Sequence, residues 1–122
     1  MVLRVIIIRT TWRIWMKWFS ATCLAIACHG ALAADVHETT IVIEGHRFTP
    51  MEVTVPADRK IKLTVVNKDP TPEEFESYEL NREKIVAGSS RIIVFVGPLK
   101  PGRYPFFGEF HMDSAKGVLI AE

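Results

Sequence analysis

Beyond residue 34 the apolar residues of this chain tend to recur at every second position, and Pro, Gly, Asn and Asp clusters break the pattern every few residues. Residues 40–44 centre on the apolar, β-branched run Ile41-Val42-Ile43. Residues 52–55 place Val53 and Val55 on one side, 61–67 place Ile61, Leu63 and Val65 together, and 91–96 do the same with Ile92, Val94 and Val96. Shorter extended segments are predicted over 75–80, 84–86, 103–107 and 117–121, while Pro70, Pro72, Pro98, Pro101 and Gly102 mark turns and Phe48-Thr49-Pro50 reads as another. No segment carries a helical period. About seven short strands in one small domain predict an all-β, Greek-key sandwich and exclude a βαβ architecture.

The first 33 residues follow a different rule. Arg4, Arg9, Arg13 and Lys17 stand without an acidic partner, an apolar run follows over 19–27, and Ala31-Leu32-Ala33 is the small-x-small pattern of a cleavage site. The pattern predicts a signal peptide over residues 1–33, a domain over 34–122 and an exported, periplasmic product. A spanning anchor is the alternative, but it needs roughly 20 apolar residues. Met16-Lys17-Trp18-Phe19 would open an ordinary signal by itself, so Met16 is a second candidate start. Cys28 after Ala27 offers a lipid-attachment reading that lacks the usual Leu three positions earlier.

Removing the leader changes the chemistry. Both cysteines, Cys23 and Cys28, lie within it, so the domain has neither disulfide nor thiolate ligand. With the leader's four basic residues gone, 11 Lys and Arg face 14 Asp and Glu, and the formal charge moves from +1 to −3. Nucleic acid and anionic membrane surfaces are poor partners for that balance, and a cation is a natural one. Serine elbows, phosphate-binding glycine loops and CxxC pairs are absent from the sequence.

Metal-capable side chains concentrate in two places. In Glu73-Glu74-Phe75-Glu76-Ser77, an extended backbone puts Glu74 and Glu76 on one face and Phe75 on the other. In Gly108-Glu109-Phe110-His111-Met112, the same alternation pairs Glu109 with His111 and opposes Phe110. With both phenylalanines in the core, the two polar pairs face outward and converge. Three carboxylates and an imidazole suit iron, Cu(II), Mn or Zn and suit Cu(I) poorly. The same glutamates also read as a solvated acidic edge, His111 as a surface histidine, and His46 as either an extra ligand or a turn residue.

The succession Phe48-x-Pro50, Val53-x-Val55-Pro56, 61–67 and Gly102-x-Tyr104-x-Phe106 resembles the cupredoxin plan. In that resemblance Gly108 stands in the place of the copper-binding cysteine, His111 matches the histidine, Ala115 stands where methionine would be, and Glu74 or Glu76 is near the place of the upstream histidine. A type 1 copper centre is thereby ruled out, since its properties depend on the thiolate. The phrases Asn67-x-Asp69-x-Thr71-Pro72-Glu73-Glu74-Phe75-Glu76-Ser77, Leu80-Asn81-x-Glu83-Lys84, Pro98-Leu99-Lys100-Pro101-Gly102 and Phe106-Phe107-Gly108-Glu109-Phe110-His111 resemble, more narrowly, the cupredoxin-like domain of bacterial iron-uptake systems. That domain occurs in EfeO-type proteins and in periplasmic partners of the Ftr1-type iron permease. The resemblance implies Cu(II) and iron as bound metals, Glu74, Glu76, Glu109 and His111 as ligands, and the permease with other periplasmic iron-uptake proteins as partners. It also implies a ferroxidase-like part in oxidising Fe(II) before transport. A module that binds metal without redox chemistry, or only docks on the permease, is the competing expectation.

Overall fold

The computed structural model describes residues 35–122, so the leader and its cleavage site lie outside the described residues. Nine strands follow one another: β1 (His37–Glu44), β2 (Arg47–Thr49), β3 (Glu52–Val55), β4 (Ile61–Asn67), β5 (Glu73–Ser77), β6 (Arg82–Val86), β7 (Ser90–Val96), β8 (Gly102–Gly108) and β9 (Lys116–Ala121). They form two sheets, ordered β2-β1-β4-β7 and β3-β9-β8-β5-β6. The β1–β4 and β3–β9 pairs are parallel and the remaining pairs antiparallel. This is the expected all-β sandwich. The stretch around Phe48, read as a turn, is instead the short edge strand β2, which pairs back on β1 through a two-residue connection.

Alternation builds the core as the pattern requires. On β4, Ile61, Leu63, Val65 and Asn67 are buried while the residues between them are half-buried. Phe48, Phe75 and Phe106 come from three strands and meet at one end of the sandwich. Their ring centroids lie 5.0 Å apart for Phe48 with Phe106, 5.3 Å for Phe75 with Phe106 and 6.3 Å for Phe48 with Phe75. Each buried ring contributes about 1.5–3 kcal/mol by leaving water. Gly117 faces Phe106 across the β8–β9 ladder, and a Cβ there would come within 2.4 Å of the Phe106 ring. Glycine at 117 therefore makes the room that Phe106 occupies.

The facing edges of the two sheets are closed by side chains. Arg82 Nε donates to Phe95 O at 2.8 Å and Lys84 Nζ to Ile93 O at 3.1 Å, so β6 covers edge carbonyls of β7 that would otherwise invite strand addition.

After β8 the chain does not stay extended. Glu109–His111 is a single 3-10 turn, closed by His111 O accepting from Ser114 N at 3.1 Å and from Ala115 N at 2.8 Å. Alternation fails there, and Phe110 is 47% exposed instead of entering the core. The expectation that both phenylalanines point inward thus holds for Phe75 and is corrected for Phe110.

Candidate metal centre

The aromatic cluster sets up the site by simple periodicity. Glu73 is two residues from Phe75, His46 two from Phe48, and Gly108 two from Phe106. With the three rings packed together, these positions are brought to the same end of the sandwich, one step beyond the core.

Glu73 shares the inward face of β5 with Phe75 and Ser77 and is only 1% exposed. A buried carboxylate must have its oxygens occupied. Here Oε1 accepts from Glu74 N at 3.0 Å and Phe110 N at 2.9 Å, and Oε2 lies 2.6 Å from His111 Nδ1. The 3-10 turn thus serves the site twice, presenting a backbone N–H and an imidazole to the same carboxylate.

His46 arrives from the other sheet. Gly45 and His46 are the two central residues of the β1–β2 turn, with φ of 59° and 55°. Positive φ at both positions marks the type I′ hairpin turn, and for a residue with a side chain it costs on the order of 1–3 kcal/mol. Asp69 holds it there. Its Oδ1 accepts from Gly45 N at 2.8 Å, its Oδ2 from His46 N at 2.9 Å, and the same Oδ2 lies 3.3 Å from His46 Nδ1. The N–H of His46, with that of Gly45 and the nearby imidazoles of His46 and His111, keeps the Asp69 carboxyl below its ordinary value against the opposing effect of burial.

Asn67 fixes the loop that carries Asp69 and leads into Glu73. Its buried Nδ2 donates to Thr71 O at 2.8 Å, with longer contacts to Ala87 O at 3.3 Å and Val86 O at 3.4 Å, and its Oδ1 accepts from Asp69 N at 3.0 Å. The parallel register Ile43↔Asn67 places this loop beside the β1–β2 turn.

The result is a stack. The rings of His46 and His111 lie 3.6 Å apart at 11°, one backed by Asp69 and the other by Glu73. His46, Glu73 and His111 bring one donor atom each within 4.8 Å of one another. The histidine side chains are 43% and 31% exposed, so the cluster opens to solvent on the imidazole side. Asp69 behind His46 is the arrangement that orients a metal-ligating imidazole.

Of the residues singled out from sequence, His111 is in this cluster, as is His46, which the sequence left between an extra ligand and a turn residue. Glu74 and Glu76 are on the outward face of β5, as alternation requires, and Glu109 is exposed at the start of the 3-10 turn. Loss of solvent, then a hydrogen bond and like charge from Glu83, then the charges of Glu109 and Glu73, push the Glu74 carboxyl above its ordinary value. Glu76 stands opposite Glu83 in the β5–β6 register. These glutamates form an acidic surface beside the stack, while the carboxylate that reaches His111 is Glu73. The signal for it was available: if Phe75 points inward, so does Glu73.

The chain matches the cupredoxin-like domain family over residues 14–121. It belongs to that family. The uncharacterized protein RP394 of Rickettsia prowazekii (strain Madrid E) is 48% identical over 86 residues, covering 70% of this chain and 69% of its own. Auracyanin A, a blue copper protein from Chloroflexus aurantiacus, aligns with a TM-score of 0.63 at 12% identity, over 72% of this chain and 100% of its own. The metal-binding domain of the Cu(I)-exporting ATPase CopA of Streptococcus pneumoniae D39, solved with Cu(I), aligns at a TM-score of 0.62 and 14% identity, over 73% and 97%. These two likenesses establish the sandwich fold.

Within the cupredoxin frame, the geometry sharpens the correspondence. A Cβ on Gly108, at the cysteine's place, would meet the Glu73 carboxyl and Ala115 Cβ, the residue at the methionine's place. Glu73 is therefore the carboxylate that fills the space beside Gly108. A type 1 copper ion does not fit this donor set, which has no thiolate. Two imidazoles and a carboxylate fit a borderline or hard ion such as Cu(II) or Fe(II).

Proposed function

We propose that this cupredoxin is an exported metal-binding protein that takes Cu(II) or Fe(II) at His46, Glu73 and His111. The observation that carries the reading is the convergence of those three donors within 4.8 Å, each held by the fold. Two histidines and one carboxylate with open positions are the donor set of non-haem ferrous sites. The acidic surface of Glu74, Glu76, Glu83 and Glu109 beside it raises the local concentration of cations. The long phrases shared with the iron-uptake cupredoxins support a role in ferrous iron uptake alongside an Ftr1-type permease.

In that role ferrous iron is the substrate. An oxygen donor such as Glu73 would stabilise Fe(III) relative to Fe(II) and so ease the loss of one electron, and a Cu(II) ion held apart from the iron would be the one-electron acceptor, reduced to Cu(I). Phe110 and Met112, 47% and 49% exposed on either side of His111, favour a second reading for the same centre. In it the protein docks on its partner through this apolar rim and hands over metal without redox chemistry.

Titration calorimetry of Cu(II), and of Fe(II) without oxygen, into the wild type and His46→Ala, Glu73→Gln and His111→Ala variants tests the site. Each substitution is expected to lower affinity at least tenfold, by removing a ligand, and Glu74→Gln, Glu76→Gln and Glu109→Gln to lower it less. The copper-loaded protein is expected to be pale, because only a thiolate gives the intense visible band. Undiminished binding in Glu73→Gln and His111→Ala, or a strong blue colour, would refute the reading. Oxidation of Fe(II) with and without copper separates the redox role from delivery.

A further inference from the structure

Gly108 has an ordinary extended backbone, with φ of −95° and ψ of 115°. Any residue adopts that conformation, so glycine is not there for its freedom. What it lacks is a Cβ, and the space a Cβ would take is filled. It would lie 2.6 Å from Glu73 Cδ, 2.9 Å from Glu73 Oε1 and 2.8 Å from Ala115 Cβ, all shorter than non-bonded carbon tolerates.

Neither side has room to yield. Gly108 N donates to Ala115 O at 2.9 Å, which ties the backbone of β8 to the far end of the 3-10 loop. Glu73 is held by Glu74 N, Phe110 N and His111 Nδ1, and it is enclosed. A side chain at 108 would displace the Glu73 carboxylate from His111.

We infer that Gly108 is a specificity-determining residue: by leaving out a Cβ it gives the Glu73 carboxylate its place beside His111, and so commits the centre to an anionic oxygen donor. Ala115, whose Cβ is its whole side chain, fills the other side of that space. The inference rests on the proposed centre and says which ions it prefers. The carboxylate favours Cu(II) and Fe(II), whereas the two imidazoles left without it still accept Cu(I). Position 108 therefore tunes the ratio of Cu(II) to Cu(I) affinity without itself touching metal.

The test compares the wild type with Gly108→Ala, measuring Cu(II) and Cu(I) affinities by competition with chelators. Nitrogen NMR of the His111 ring in the metal-free proteins reads the Glu73 hydrogen bond directly. The expected result is a fall of at least tenfold in the Cu(II) to Cu(I) affinity ratio, together with loss of the hydrogen-bonded Nδ1 signature. An unchanged ratio with the signature intact overturns the inference and leaves the centre standing. A wild type that binds neither ion overturns the centre itself, and the preference with it. Should Gly108→Ala fail to fold, Glu73→Ala/Gly108→Ala is expected to regain a cooperative melt, since the carboxyl no longer contests the space. A double variant folding no better than the single one places the conflict at Ala115 and overturns the inference.

Discussion

Asp69 offers a direct measure of how strongly the His46 turn is held. Replacing it with Ala removes the acceptor for Gly45 N and His46 N, at 2.8 and 2.9 Å, and the carboxylate beside His46 Nδ1. A hydrogen bond to a charged group is worth about 1.5–3 kcal/mol. Gly45 is exposed, so water recovers much of its bond, while the one to His46 is partly buried. The left-handed conformation of His46 loses its support at the same time. Together these set a loss of about 2 kcal/mol, which for a domain of this size lowers the melting temperature by about 8–16 °C. The carboxyl is held below its ordinary value in the fold. Its contribution is therefore complete above the unfolded pKa of about 4 and is lost as the pH falls from there through the depressed folded value. Calorimetric melts of the metal-free wild type and Asp69→Ala between neutral and acidic pH are the assay. The two curves should lie apart at neutral pH and converge in acid. Equal melting temperatures at neutral pH, or a gap that persists below the folded pKa, would refute the role given to Asp69.

Two further outcomes follow from the packing and the charge arrangement. In urea, Phe106→Ala should lose about 3–5 kcal/mol because its ring is buried, whereas Phe110→Ala should lose less than about 1 kcal/mol. Equal losses would place Phe110 in the core after all. Glu83→Gln should bring the Glu74 carboxyl down toward its ordinary value, leaving the parts due to lost solvent and to the charges of Glu109 and Glu73; a carbon-detected NMR titration in which Glu74 does not move would rule out their coupling.

Much of this molecule was legible in one dimension. The period of two in 52–55 and 61–67 returned β3 and β4 with their bounds, because strand periodicity is a local property of the backbone and burial follows it. The absence of a thiolate beyond Cys28, and with it the exclusion of a type 1 copper ion, needed only the order of residues. Assigning His111 as a ligand candidate was also a matter of sequence. That Glu73 faces inward with Phe75 followed from alternation, but that it meets His111 did not, because the 3-10 turn at Glu109–His111, where the chain leaves the extended state, brings the imidazole to it. His46 became part of the site through contacts formed across the sandwich: Asp69, 23 positions away, bends its turn, and His111, still farther along the chain, stacks on its ring. Alternation tells which face a side chain leaves from. Only the packing of Phe48, Phe75 and Phe106 on one another brought three such faces to a single point, because contacts between residues distant in sequence carry no local signal.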